Sequence, residues 1–371
     1  MSKKKELKLM FLTASRPNFM KISPLIKEAK KQKIKYSIFY IGQHQSEEMT
    51  GVFAKEFGFP KPNFFLNLQK QARKNSKVRK VIGLIQLIPK TIRIIKSSNP
   101  TIIVVVGDVA SSAYIAILSK FLRIHVAHVE AGMRSFDIKM PEEKARRIID
   151  NVSKFLFTTE KIANQNLLEE GKREKDIFLV GNIMIDNLIE NLKISKKSKI
   201  LKKLKLKKKN YVLLTMHRVE TINDKENLRE LLEILYDLGK EIKIVMPIHP
   251  RTKEKIKRYK LENLTKNFMI LPPQGYLNIL KLQENAKFVL TDSGGIQSET
   301  TFLKVPCLTL RKETEHICTI EEGSNTLVGR DPKKIKENVQ KILQNKYKKN
   351  KIPKYWDGKT SERIIKILKN S

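Results

Sequence analysis

From Leu7 to Leu310, apolar runs of strand length alternate with longer amphipathic segments. That alternation predicts an α/β architecture with parallel sheets, because each strand must return through a crossover that is usually helical. In the first half, strands are expected at Leu7–Thr13, Tyr36–Ile41, Ile102–Val106, Val126–Val129, Phe155–Phe157 and Ile177–Val180. A helix is expected from Val81 to Ile95, broken or kinked at Pro89. A lysine-rich segment, Lys193–Lys209, then interrupts the pattern, with Ile200, Leu201 and Leu204 at helical spacing. The alternation restarts with Tyr211–Leu214, Ile242–Val245, Phe268–Leu271 and Phe288–Leu290, and Cys307–Leu310 is expected to be the last strand. With 371 residues, two domains are the natural expectation. They are predicted as residues 1–190 and 191–371, with the last helix, Ser361–Leu368, able to pack on either.

Bulk properties narrow the function classes. No apolar stretch reaches the roughly 20 residues needed to span a bilayer, and the basic start reads as the approach to a first strand. Two cysteines, Cys307 and Cys318, form no disulfide framework, which fits a reducing cytoplasm. The formal net charge of +37 favours anionic partners. The lysines are nevertheless scattered, and the densest run, Lys193–Lys209, holds no aromatic residue on which a base could stack. Specific nucleic-acid binding is therefore not expected, and a lysine-biased solvated surface accounts for the charge.

Chemistry concentrates where strands end, the place at which open α/β sheets bind ligands. Phe288-Val289-Leu290 runs through Thr291-Asp292 into Ser293-Gly294-Gly295 and a helix-compatible segment carrying Glu299. Such a turn leaves unpaired N–H groups at a helix start, a site for phosphate. Other strands lead to Arg16 and Lys21, to Gly107-Asp108, to Glu130, to His217-Arg218 and to His249. All six histidines (His44, His125, His128, His217, His249 and His316) lie in or beside these junctions. Arg16, Lys21, His217, Arg218 and the Ser-Gly-Gly donors suit a diphosphate. Asp108, Glu130, Glu142 and Glu143 bring carboxylates from the other half, and for Glu143 an ion pair is the preferred account. An anion grip opposed to acid/base carboxylates points to chemistry on a nucleotide sugar. Strand alternation puts His128 and Glu130 on one face and His125 on the other, so no metal site is expected. No Gly-x-Gly-x-x-Gly follows the first strand, so no dinucleotide cofactor is indicated.

These residues resemble the non-hydrolysing UDP-N-acetylglucosamine 2-epimerase family over nearly the whole chain. The resemblance rests on Ser15-Arg16-Pro17 with Lys21, Gly42-Gln43-His44, Gly107-Asp108-Val109 and His128-Val129-Glu130-Ala131-Gly132. It continues through Met140-Pro141-Glu142-Glu143, Gly181-Asn182 with Asp186, His217-Arg218, His249-Pro250 and Asp292-Ser293-Gly294-Gly295 with Glu299. It implies two Rossmann-like domains facing a central cleft (glycosyltransferase-B-like) and inversion at C2 of a UDP-linked 2-acetamido sugar without a cofactor. The implied route eliminates UDP to a 2-acetamidoglucal and adds it back. Asp108, Glu130 and Glu142 match acid/base positions, and His217 one that assists the leaving diphosphate. Arg16, Ser293 and Gly294 match phosphate positions, and Glu299 matches a ribose contact; Lys21, His249 and Gly295 complete the expected substrate site. A homodimer is implied as well. The chain departs from the family pattern at Ala145, Asn151, His316-Ile317-Cys318 and Ser46. Those departures put regulation by substrate in question and leave a different acetamido sugar, or weakened activity, open. The competing readings are a UDP-sugar hydrolase, a glycosyltransferase, or a nucleotide-sugar-binding homologue without turnover.

Overall fold

The computed structural model of the chain describes residues 6–14, 16–42, 59–67 and 85–371. The chain divides into two compact units, Met1–Asn187 with Asp357–Ser371, and Leu188–Trp356. In unit 1 the elements run β1 (Lys8–Thr13), α1 (Arg16–Lys31), β2 (Lys35–Gly42), β3 (Phe64–Asn67), α2 (Ile88–Ser98), β4 (Ile102–Val106) and α3 (Ala110–Phe121). They continue with β5 (His125–Val129), α4 (Pro141–Val152), β6 (Phe155–Thr158), α5 (Lys161–Glu169), β7 (Ile177–Leu179) and the start of α6 (Ile183–Ser195). The seven strands form one parallel sheet in the order β3-β2-β1-β4-β5-β6-β7.

Period-2 alternation gives this sheet two apolar faces. Leu9, Phe11, Val104 and Val129 pack with Ile22 and Leu25 of α1. Met10, Leu12, Ile103 and Val105 face the other way, against Ile95 of α2, Ile115 of α3 and Ile149 of α4. Ala145, where the family pattern has asparagine, belongs to this second core and is buried.

Unit 2 repeats the plan. It contains α7 (Ile200–Lys203), β8 (Tyr211–Thr215), α8 (Val219–Ile222), α9 (Lys225–Glu241), β9 (Lys243–Pro247), α10 (Pro250–Arg258) and β10 (Phe268–Leu271). Then come α11 (Tyr276–Asn285), β11 (Phe288–Thr291), α12 (Gly294–Leu303), β12 (Cys307–Thr309), α13 (Ile317–Glu321), β13 (Asn325–Leu327) and α14 (Pro332–Leu343). Its sheet order, β10-β9-β8-β11-β12-β13, reproduces the first six positions of the other sheet. In each unit the order reverses beside the first strand, between β1 and β4 and between β8 and β11. A doubly wound sheet opens its ligand crevice at the carboxyl ends of such a strand pair.

The last helix, α15 (Thr360–Asn370), returns to unit 1 and packs Ile364, Ile365 and Leu368 into the α1 side of its core. Asp186 fastens it. This buried carboxylate accepts from the Thr360 and Ser361 amides and the Ser361 hydroxyl, at 3.1, 2.7 and 2.7 Å.

Three expectations are corrected. Cys307–Leu310 is not the last strand, since β13 pairs beyond it; with only three residues, its apolar signal is too short to register. Pro89 does not kink a helix but stands in the first turn of α2, where its missing N–H costs no bond; residues 81–84 lie outside the described residues. His125 opens β5 rather than ending a strand, which places it at the opposite edge of the sheet from the crevice. No described helix is long and apolar enough to cross a membrane.

Candidate functional site

In unit 1 the polar groups gather past the ends of β4 and β5. Asn18 of α1 donates to the Val106 carbonyl at 2.8 Å and ties the start of that helix to β4. Gly107 follows with φ +73°, a left-handed turn that suits glycine, and Asp108 stands next. Glu130, just past β5, also has a positive φ of 72°. Its amide and that of Ala131 both donate to the Phe157 carbonyl at 3.0 Å, so β5 ends in a bulge. A non-glycine residue held there is strained, a condition that gathers at functional sites. The bulge also breaks the strand alternation. Glu130 is therefore not grouped with His128: it meets Lys21 of α1 at 2.5 Å, while His128 faces Asp150 of α4.

Burial by itself would lower the Lys21 pKa, but Glu130 and then Asp108 outweigh it and hold the ammonium above its ordinary range. Asp108 has a separate partner, since Arg146 of α4 binds its Oδ2. Arg146 is clamped in turn by Glu143 at 3.0 Å. Fully buried Glu143 also accepts from the Ser135 amide at 2.9 Å and from Arg147 at 2.9 Å. The preferred ion-pair account of Glu143 agrees with these contacts. Glu142, one residue earlier in the first turn of α4, is exposed and is not drawn into this cluster.

A second buried layer supports the first. His128 Nδ1 lies 2.6 Å from Asp150 Oδ1 and its Nε2 lies 2.9 Å from the Gly107 carbonyl, so both ring nitrogens face acceptors. Asp150 also accepts from Arg134 at 2.7 Å, and Arg134 reaches Glu170. Burial would raise the Asp150 pKa; His128 and then Arg134 reverse that and hold it low. The layer fixes the Gly107 turn and thereby Asp108. Residue-type reasoning did not place Asp150 and Glu170 among the groups of the site. A signal was present: Glu143, Arg146 and Asp150 are spaced three and four residues apart, one stripe of a helix.

In unit 2 the groups stand past β8, β9 and β11. Asp292, fully buried, accepts from the His217 and Arg218 amides at 2.8 Å each. His217 Nδ1 lies 3.2 Å from the other Asp292 oxygen, close enough to pair but off the hydrogen-bond line. Desolvation opposes ionisation of Asp292, yet His217 and the backbone donors hold its pKa down. The rings of His217 and His249 are 5.5 Å apart. His249 Nδ1 accepts from the Arg251 amide at 3.2 Å, capping α10, and burial, then His217, pushes its pKa below the ordinary value. Its neutral form fits that acceptor role.

Ser293 is the N-cap of α12, yet its side chain makes no capping bond. The first amides of α12 have no acceptor within the helix. A Cβ on Gly294 would stand 2.9 Å from His316 Nε2 and 3.2 Å from Glu315 Oε1, so a larger residue there would displace the His316 side chain. Glu315 takes Arg311 at 2.9 Å, with Arg218 at 3.9 Å. Burial opposes its charge, but His316, Arg311 and Arg218 hold its carboxyl well below the usual range. Glu299, in the second turn of α12, is 3% exposed and accepts from the Tyr276 hydroxyl at 2.8 Å. Burial pushes its pKa up to about 7.

The structure thus groups Lys21, Asp108 and Glu130 in unit 1. In unit 2 it groups His217 with His249, and places Ser293, Gly294, Gly295 and Glu299 together on α12. The backbone of Arg16 opens α1; its side chain lies outside the described residues, as do Ser15, Gln43, His44 and Ser46.

Known proteins share this sequence pattern and fold. The sequence profile of the UDP-N-acetylglucosamine 2-epimerase family matches residues 27–369. The chain is 38% identical to the UDP-N-acetylglucosamine 2-epimerase of Methanocaldococcus jannaschii, over 98% of this chain and 99% of that protein. It is 31% identical to the UDP-2,3-diacetamido-2,3-dideoxy-D-glucuronate 2-epimerase of Pseudomonas aeruginosa, covering 98% and 99%. The crystal structure of the Methanocaldococcus jannaschii UDP-GlcNAc 2-epimerase in complex with UDP-GlcNAc and UDP superposes with a TM-score of 0.86 at 37% identity, covering 98% of this chain and 100% of that one. Two parallel-sheet α/β domains and a match along nearly the entire sequence lead to one assignment: the chain belongs to the UDP-N-acetylglucosamine 2-epimerase family.

Proposed function

We propose that this protein interconverts a UDP-linked 2-acetamido sugar with its C2 epimer, UDP-N-acetylglucosamine with UDP-N-acetylmannosamine or a close analogue, by eliminating and re-adding UDP. In the first step a unit 1 carboxylate takes the C2 proton while the C1–O bond breaks. The C–H electron pair becomes the C1=C2 double bond, and UDP leaves with the C–O pair. In the second step C2 receives a proton on the opposite face and a diphosphate oxygen re-forms the bond to C1. Atoms and electrons balance without net oxidation, so the scheme requires no redox cofactor.

The observation that carries this reading is the pair of carboxylates past neighbouring strands. Asp108 follows β4 and Glu130 follows β5, each held by its own cation. Two separately held carboxylates are what proton chemistry on two faces of one carbon needs. Glu142 is retained as a catalytic candidate on the family match alone. Lys21 and Arg16 are assigned to the substrate, and His217 to the departing diphosphate, with His249 beside it. The α12 start, Ser293 to Gly295, is assigned to the phosphates through its amides and the positive end of the helix dipole, and Glu299 to the ribose.

Proton NMR of UDP-N-acetylglucosamine with the protein in deuterated water tests the reaction. Deuterium is expected to enter C2 as a manno-configured UDP-sugar accumulates. Free sugar without C2 exchange would instead identify a hydrolase, and a requirement for an acceptor a transferase. We further propose a homodimer in the cytoplasm. Exposed Ile117 and Phe121, one turn apart on α3, support the first part. Cys307 and Cys318, buried thiols not joined in a disulfide, support the second, which cell fractionation checks.

A further inference from the structure

Glu299 carries an unusual burden for a carboxylate, because no charged group among the described residues offsets its burial. The groups that bear on its ionisation are Tyr276 and Gln283, both on α11. Tyr276 is half-buried at the start of that helix and donates to Glu299 Oε1 at 2.8 Å. Gln283 is fully buried with both amide atoms unpaired, and lies near enough to favour the ionised form. A carboxylate accepts from two hydroxyls, whereas a neutral carboxyl spends one oxygen on its own proton. A hydrogen bond to an ionised acceptor is also about twice as strong as one to a neutral group.

We propose that Tyr276 is a positioning residue: by binding one oxygen of Glu299 it leaves the other as the acceptor for ribose hydroxyls, and so sets the preference for a ribonucleotide over its 2′-deoxy counterpart. The inference rests on the reading of Glu299 as the ribose ligand. Burial lifts the Glu299 pKa to about 7, and the Tyr276 bond acts in the opposite direction. Removing the hydroxyl would push the pKa higher, so that at mildly alkaline pH the side chain would be mostly neutral. A site built around a hydroxyl discriminates strongly against the ligand that lacks it. The neutral form weakens that discrimination, because its acceptor oxygen is no longer charged.

Calorimetric titration of the full-length protein with UDP and with 2′-deoxy-UDP, between pH 6 and pH 9, reads this directly. The ratio of the two affinities cancels the contributions of the diphosphate, His217 and His249, which both ligands share. In the wild-type protein the preference for UDP is expected to rise as pH climbs through about 7 and then level off. In Tyr276→Phe the rise moves to higher pH. At pH 7.5 the preference then falls on the order of three- to tenfold and returns by pH 9. In Glu299→Gln, which cannot ionise, the ratio is flat. A Tyr276→Phe variant with the wild-type pH profile, or with the same loss at every pH, would overturn the proposal, as would a wild-type ratio that ignores pH while UDP still binds. Failure of the wild-type protein to bind either nucleotide would reject the ribose reading itself, and the proposal with it.

Discussion

Asp108 and Asp292 stand past corresponding strands of the two sheets, yet their surroundings divide them into different kinds of group. Asp292 is fully buried and spends one oxygen on two backbone amides, which sets His217 in place. The side chain of Asp108 is 31% exposed and engages Arg146 through one oxygen. The second Asp108 oxygen is the one we assign to chemistry. Asp108→Asn and His217→Ala are each expected to cut turnover by about 10²–10⁴-fold while circular dichroism stays unchanged. Near-normal turnover in both variants would remove the proposed site. The Glu143–Arg146 clamp also explains why neighbouring acidic residues have different fates. Glu143 is consumed by structure, whereas Glu142 stays exposed.

At the scale of elements, the alternation of strand and helix was legible because nearly every strand is buried on both faces and reads as a plain apolar run. β4 (Ile102–Val106) and β8 (Tyr211–Thr215) are of this kind. The site was legible as a set of strand ends, since polar residues interrupt those runs where the crevice opens. What escaped the reading depends on contacts far apart in sequence or on backbone geometry. β13 is too short to announce itself, and the left-handed φ of Glu130 has no local sequence signal. The link from Asp186 to α15 spans more than 170 positions. Asp186→Ala leaves the Thr360 and Ser361 amides without their acceptor at the start of that helix. It is expected to lower stability by about 1–3 kcal/mol, read as a lower urea midpoint with unchanged slope. An unchanged midpoint would show that the clasp contributes nothing.

For the molecule as a whole, the positive charge is best understood as a surface property joined to an anionic substrate. The groups assigned to that substrate are a small, localised fraction of the 75 lysines and arginines. The proposed homodimer predicts twice the mass of one 43.1 kDa chain in light scattering. Replacing the exposed Phe121 with lysine is expected to shift the population toward monomer, and a monomeric wild-type protein would dismiss the dimer.

We propose above all that the amides at the start of α12 and the histidines past β8 and β9 hold the pyrophosphate of the substrate. A crystal soaked with UDP tests it most directly. The diphosphate is predicted at the amides of Gly294 and Gly295 with the ribose against Glu299; UDP bound away from the start of that helix would contradict it.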